Sequence, residues 1–166
     1  MNQEHINPFI ESLRTVFQTM LQLNVEAGAA TERVEPTPSH DVSGIISLNG
    51  DLEGSCVLSF PMDAARRIVT IFAGSDCDPT GPDFCDAIGE LVNMVTGGAK
   101  ARFKGRTISI SCPTVITGSG HVVRASREFS CFAIPFTSDL GNFVIEVAFK
   151  NNCAVMQGAA AQVAKV

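Results

Sequence analysis

The chain has no dense basic stretch, no long apolar run and few charges of either sign. Its 166 residues carry 12 lysines and arginines against 17 aspartates and glutamates, a net charge of -5. A chain of that sign lacks the cationic footprint of a nucleic-acid or anionic-membrane surface, and neither partner is expected. No apolar stretch reaches the ~20 residues that a membrane-spanning helix needs. The opening segment, "MNQEHINPFIESL", lacks the basic start and compact apolar run of a signal peptide, so the expected location is the cytoplasm. The nearest thing to a basic cluster is Lys100, Arg102, Lys104 and Arg106. These fall where a helix would end, and cations there complement the negative end of its dipole.

Patterns for nucleophilic and metal chemistry are equally thin. The three histidines, His5, His40 and His121, stand outside any motif and read as surface residues, so a Ser-His-Asp or Cys-His arrangement lacks its base. The six cysteines include no CxxC pair, and zinc sites usually show such short ligand spacings. Disulfides are unusual in the cytosol. Cys56 and Cys131 lie in alternating apolar runs and read as small core residues. In "GSDCDPTGPDFC", Asp76, Cys77, Asp78 and Cys85 mix hard and soft ligands, which fits a surface loop better than a metal site. Walker and dinucleotide fingerprints are missing too, since "GSGH" and "TGGAK" lack the spacing.

What is present is a core. Apolar residues make up 45% of the chain and charged residues 17%, a globular composition at the length of one domain. Residues 5–24 repeat apolar side chains at three- and four-residue steps and predict a helix. "AGAATERVEPTPSH" reads as a connection with room for a short strand. Two β-rich runs then flank Asn49-Gly50-Asp51, a hairpin turn. "MDAARRIVTIFAG" predicts a short helix closed by Gly74. A longer helix follows Pro79 and Pro82, with Thr80 or Asp83 as candidate N-caps. "TISISCPTVITG" and a last hairpin turning at Asp139-Leu140-Gly141 complete the order. The expected fold is α+β, a mostly antiparallel β-sheet with two central helices and an N-terminal helix. Its expected divisions are 1–30 for the N-terminal helix packed on the domain, 31–150 for the domain itself and 151–166 for a C-terminal tail. A faint echo overlays Asp63, Ala64, Val69 and Gly74 on Asp86, Ala87, Val92 and Gly97, and the two hairpins resemble each other. Approximate internal twofold symmetry would produce both. The first copy carries Arg67 and Thr70 where the second carries Glu90 and Asn93.

The longer helix, "DFCDAIGELVNMVTGGAKARF", is unusual in holding three glycines, Gly89, Gly97 and Gly98. Each weakens a helix by roughly 1 kcal/mol relative to alanine. At about 100° per residue, Asp86, Glu90, Asn93 and Gly97 share one narrow stripe, with Gly89 beside it. Phe84, Ile88, Leu91, Val92, Val95 and Ala99 fall on the opposite side. Glycines on the exposed side would let another backbone or molecule come close; a plain solvated face is the bland alternative. Two carboxylates on one helix face lie side by side rather than across a sugar, which argues against glycosidic acid-base work. An amide is no general base, but it can hold a water, and a neighbouring carboxylate can grip a partner's cation. That combination suits a reaction whose electrophile is supplied elsewhere.

"DAIGELVNMVTGGAK" followed by "SCPTVITG" resembles the CheX branch of the CheC/CheX/FliY family of chemotaxis phosphatases, through Asp86-x3-Glu90-x2-Asn93 and the downstream Pro113. The likeness runs from about Val42 to Lys150, and the single intact helix motif favours CheX over CheC. The resemblance implies a phosphatase for the phospho-aspartate of a CheY-like response regulator. On that implication Asn93 orients the attacking water and Glu90 pairs with the regulator's active-site lysine. Asp86, Gly89 and Gly97 form the partner-binding rim, and the two glycines let the helix enter the regulator's site. No cofactor is implied on this chain; Mg2+ is expected on the regulator. The resemblance also implies a homodimer. A non-catalytic adaptor that docks a regulator, or a dimerisation module, stand as alternatives.

Overall fold

The computed structural model describes residues 3–34 and 39–151. The expected helical periodicity appears as α1 (Gln3–Leu21), which buries Ile6, Phe9, Leu13, Val16, Phe17 and Leu21 along one side. The connection after it holds two short strands, β1 (Glu26–Ala27) and β2 (Thr31–Arg33). Then come the hairpin β3 (Val42–Gly50) and β4 (Gly54–Phe60), helices α2 (Met62–Ala73) and α3 (Pro82–Arg102), and short strands β5 (Ile108–Ile110) and β6 (Thr114–Thr117). The hairpin β7 (Phe129–Thr137) and β8 (Phe143–Lys150) closes the order. Cys153 and the rest of the expected tail beyond residue 151 lie outside the described residues.

One sheet collects all eight strands in the order β1-β7-β8-β4-β3-β5, with β2 also on β7 and β6 also on β3. Every one of these pairings is antiparallel. The two long hairpins meet at the centre, where β4 and β8 run from Gly54 opposite Phe149 to Ser59 opposite Val144. Each outer long strand, β3 or β7, carries two short strands on its far edge. The sheet thus repeats itself approximately about the β4–β8 seam, which is where the hairpin echo in the sequence comes from.

Side-chain alternation gives the sheet one heavily apolar face. Val42, Ile46 and Leu48 of β3, Cys56, Leu58 and Phe60 of β4, and Phe143, Ile145, Val147 and Phe149 of β8 are buried. Aromatic contacts seat α1 along β8. Phe143 stacks with Phe17 at 5.0 Å and with Phe136 at 5.5 Å between ring centres, while Phe149 meets Phe9 at 6.0 Å. Helix α2 takes its cap from outside: the Asp41 carboxylate accepts the Met62 N–H at 3.0 Å. It stops at Gly74, whose φ of 73° is left-handed.

The expected caps of α3 are not used. The helix starts after Gly81 with Pro82 in its first turn and no side-chain cap. Asp78 Oδ1 instead accepts both the N–H and the hydroxyl of Thr80, at 2.9 and 2.8 Å, so this side chain is spent on the preceding turn.

Helix α3 is held by close approaches on three sides. Beneath it, a Cβ on Gly44 of β3 would lie 2.9 Å from Val92 Cγ1 and 3.3 Å from Ile88 Cγ2. Beside it, Ser12 of α1 is buried and donates to the Val95 carbonyl at 2.6 Å. A Cβ on Gly98 would overlap that Ser12 hydroxyl. On the third side, a Cβ on Gly89 would stand 3.3 Å from Pro113 Cγ. Arg102 closes the α1–α3 seam, donating to the Gly98 carbonyl at 2.8 Å and to Thr15 Oγ1 at 3.1 Å. This member of the basic cluster therefore serves the helix end as expected, and also ties it to α1.

The neighbouring glycines consequently differ in sign. Gly98→Val destabilises the protein by roughly 1–3 kcal/mol through overpacking against Ser12. Gly97 has nothing within 4 Å of where a Cβ would sit. Gly97→Ala therefore stabilises by up to about 1 kcal/mol through helix propensity. Urea unfolding of both variants measures the difference, and equal shifts would disprove the Ser12–Gly98 clamp.

Candidate functional site

With α3 fixed in this way, its aliphatic side is spoken for: Phe84, Ile88, Leu91, Val92, Val95 and Ala99 are all buried. The opposite stripe faces out. Asp86 and Glu90 are exposed, and Asn93 and Gly97 are half-buried. Asn93 Nδ2 lies 3.5 Å from Glu90 Oε2, at the outer limit of a hydrogen bond, and helical spacing places amide and acid side by side. The ion pairs among the described residues, Arg33–Glu146, Arg102–Glu11 and Lys150–Glu53, all lie elsewhere. Asp86 and Glu90 therefore stand one turn apart with no counter-ion among those residues.

Gly89 departs from its expected place. It is buried, and its bare Cα is occupied by Pro113 and Val115 of the same chain. The approach it permits is that of the β5–β6 segment. The register explains this: Val115 pairs with Gly44 across β3 and β6, and Gly44 underlies Ile88 and Val92. Chain segments far apart in sequence thus meet at one point below α3. Between the helix and this segment lies an open groove of about 550 Å³, lined by Cys85, Asp86, Gly89, Glu90, Pro113 and Val115. Val115 carries no signal in the sequence, because only the β3–β6 pairing brings it to α3, whereas Cys85 stands one turn before Gly89 on the helix itself. Gly97 keeps the open space expected of it.

The histidines, expected at the surface, are partly buried, and two of them have packed or hydrogen-bonded rings, His5 and His121. His121 Nδ1 lies 2.7 Å from the Gly118 carbonyl and Nε2 lies 2.8 Å from Ser43 Oγ. A carbonyl only accepts, so Nδ1 carries a proton toward Gly118, while Nε2 lies against the Ser43 hydroxyl. This pins the loop after β6 to the sheet face away from the helices. His5 sits by Phe149 and Phe103, and burial, then the Arg106 charge, lowers its pKa. Burial likewise lowers that of His40. None of the three lines the groove. The buried Cys56 thiol is pushed up to about 12 by desolvation, in keeping with a small core residue. Cys131 is half-buried, pushed to about 11 by desolvation and then by Glu146. Among the described residues no three His, Cys, Asp or Glu side chains are grouped to hold a metal, and no helix is long and apolar enough to cross a membrane.

The sheet, the three helices and the outward acid–amide pair define an α+β protein that offers its polar chemistry on one clamped helix. Residues 42–137 match the family described as chemotaxis phosphatase CheX, and the chain belongs to that family. It is similar to the CheY-P phosphatase CheX of Thermotoga maritima, 26% identical over 121 residues that cover 71% of this chain and 78% of the relative. Its fold is similar to that of the chemotaxis protein CheX from Vibrio vulnificus, with a TM-score of 0.80 and 34% identity over 89% of this chain and 99% of the other. It is also similar in fold to a chain of the CheX–CheY–BeF3–Mg2+ complex from Borrelia burgdorferi, with a TM-score of 0.72 and 22% identity over 88% and 96% of the two chains.

Like charges at i and i+4 destabilise a helix by ~0.2–0.5 kcal/mol. Asp86→Asn and Glu90→Gln should each stabilise the isolated protein by about that amount, read as a small rise in urea midpoint. A fall in midpoint for both would mean that the carboxylates have a partner within the chain.

Proposed function

We propose that this protein hydrolyses the aspartyl phosphate of a CheY-like response regulator by inserting the exposed stripe of α3 into the regulator's active site. The observation that carries this reading is the side-by-side placement of Glu90 and Asn93 on the outward face of a helix clamped on its other sides. The Thermotoga relative's name and the CheX–CheY complex support the choice of partner.

In this reading Glu90 leaves the Asn93 amide and takes the regulator's active-site lysine, a charge-assisted contact that seats the helix. Asn93 then uses its carbonyl as acceptor and its NH2 as donor to hold one water in line with the phosphorus. Attack forms the new P–O bond as the P–O bond to the aspartate breaks, releasing the carboxylate and an inorganic phosphate that carries the water's protons. Phosphoryl transfer is largely a matter of positioning and electrostatics, so an amide with no basicity is sufficient on this side. Mg2+ would be held by the regulator, where it would neutralise charge on the phosphoryl oxygens. Asp86 and Gly97 form the rim of the contact; Gly89 contributes through Pro113, which it allows to buttress the helix beside Glu90. We also propose a homodimer, to be checked by sedimentation equilibrium; a monomer at micromolar concentration rejects it.

The test is phosphate release from phosphorylated regulator. Asn93→Ala should lower the accelerated rate by about 10²-fold while binding to the beryllofluoride-activated regulator persists. Glu90→Ala should weaken both rate and affinity. A wild-type protein that binds without speeding dephosphorylation would instead be an adaptor.

A further inference from the structure

The buried back of α3 carries a polar contact that apolar packing alone does not require. Ser12 of α1 is 1% exposed, and its hydroxyl donates to the Val95 carbonyl at 2.6 Å. The close approaches of α3 to the sheet and to β6 are apolar: Gly44 against Ile88 and Val92, and Gly89 against Pro113 and Val115. The other hydrogen bond between α1 and α3, from Arg102 to Thr15 at 3.1 Å, is exposed. Val95 follows Asn93 by two residues, about 200° round the helix axis. Ser12 therefore grips the back of the turn whose front presents the amide. We infer that Ser12, which precedes the family-matched residues 42–137, is a positioning residue for Asn93: its bond to Val95 sets the angle of α3 and so where the amide holds its water. The inference rests on the phosphatase reading for its reaction.

Apolar contacts have no direction, so they fix how far α3 lies from its neighbours. A hydrogen bond weakens steeply when misaligned, so it fixes orientation as well. The lever is long. A helix with its side chains is about 10–12 Å across, so a roll of about 10° carries the outer end of Asn93 through about 1 Å. A shift of that size can cost about 10²-fold where the rate depends on orienting one water. Satisfaction of the carbonyl does not explain the bond, because within α3 the Ala99 N–H is the regular donor to Val95. Removing the Ser12 hydroxyl leaves no orphaned acceptor, and what is lost is direction. Gly98 makes the room: a Cβ there would overlap the hydroxyl, and the seam keeps a residue that weakens the helix in order to admit it.

A double variant separates positioning from stability. Ser12→Ala should lower kcat for phosphate release from phosphorylated regulator about tenfold, with Kd for the beryllofluoride-activated regulator little changed. Its urea midpoint should fall by about 0.5 M. With the hydroxyl gone, a Cβ at position 98 meets the Ser12 Cβ at 3.4 Å and Arg102 Nη1 at 3.5 Å, which are ordinary contacts. Ser12→Ala combined with Gly98→Ala should therefore regain the midpoint through helix propensity while kcat stays low. Val57→Ala, buried on the sheet face away from the helices, should lose stability and keep kcat. A kcat unchanged in Ser12→Ala, or one that recovers with the midpoint in the double variant, overturns the positioning role. Nitrogen–proton NMR of the free protein reads the same coupling without the reaction. The Asn93 side-chain amide signal should move in both Ser12 variants and stay in Val57→Ala. If wild type binds regulator but never speeds phosphate loss, the catalytic reading fails on its own account, and an unmoved Asn93 signal in Ser12→Ala then overturns the link from Ser12 to the amide.

Discussion

The structure depends on how closely three chain segments approach one helix. Gly44 brings the sheet under α3, Gly98 admits the Ser12 hydroxyl of α1, and Gly89 admits Pro113 from the β5–β6 segment. Each contact exists because a side chain is absent. Close-packed interiors deform little, so three such contacts leave α3 almost no freedom to roll or slide. The direction of its fourth side, with Asp86, Glu90 and Asn93, follows from the other three.

This explains why a helix of poor intrinsic stability is used for the site. Glycines, unpaired carboxylates and an asparagine all weaken α3 in isolation. Tertiary packing supplies the stability instead, through the buried row from Phe84 to Ala99 and through α1. Clamping and exposure are then compatible: the residues that hold the helix and those offered to a partner lie on different sides. A water-positioning amide benefits from such rigidity, because small misplacements weaken an orientation effect.

Much of this was legible from residue order. The period of α1, the Gly74 stop of α2, both hairpins and the aliphatic row of α3 follow from local rules that the structure obeys. Asp86, Glu90, Asn93 and Gly97 fall on one stripe because helical geometry alone puts them there. Gly89 borders that stripe, and periodicity cannot tell a partner's approach from that of Pro113, which lies against it in the same chain. The candidate cap Thr80 went to Asp78, and His121, outside any motif, proved to hold a loop through Ser43. In each case a contact remote in sequence, or a competing local turn, took the side chain.

Sequence by itself determined which residues share a helix face, which segments turn back as hairpins, and which polar types stand together on α3. These depend on spacing and short-range geometry. Only the tertiary structure decided which glycine admits α1, which admits Pro113, and that Val115 and Cys85 wall a groove beside Glu90. Those facts depend on strand register and on helix–sheet contact between residues as far apart as Gly44, Gly89 and Val115. No local rule carries that information, because a glycine is the same residue whatever backbone or side chain comes to lie against it.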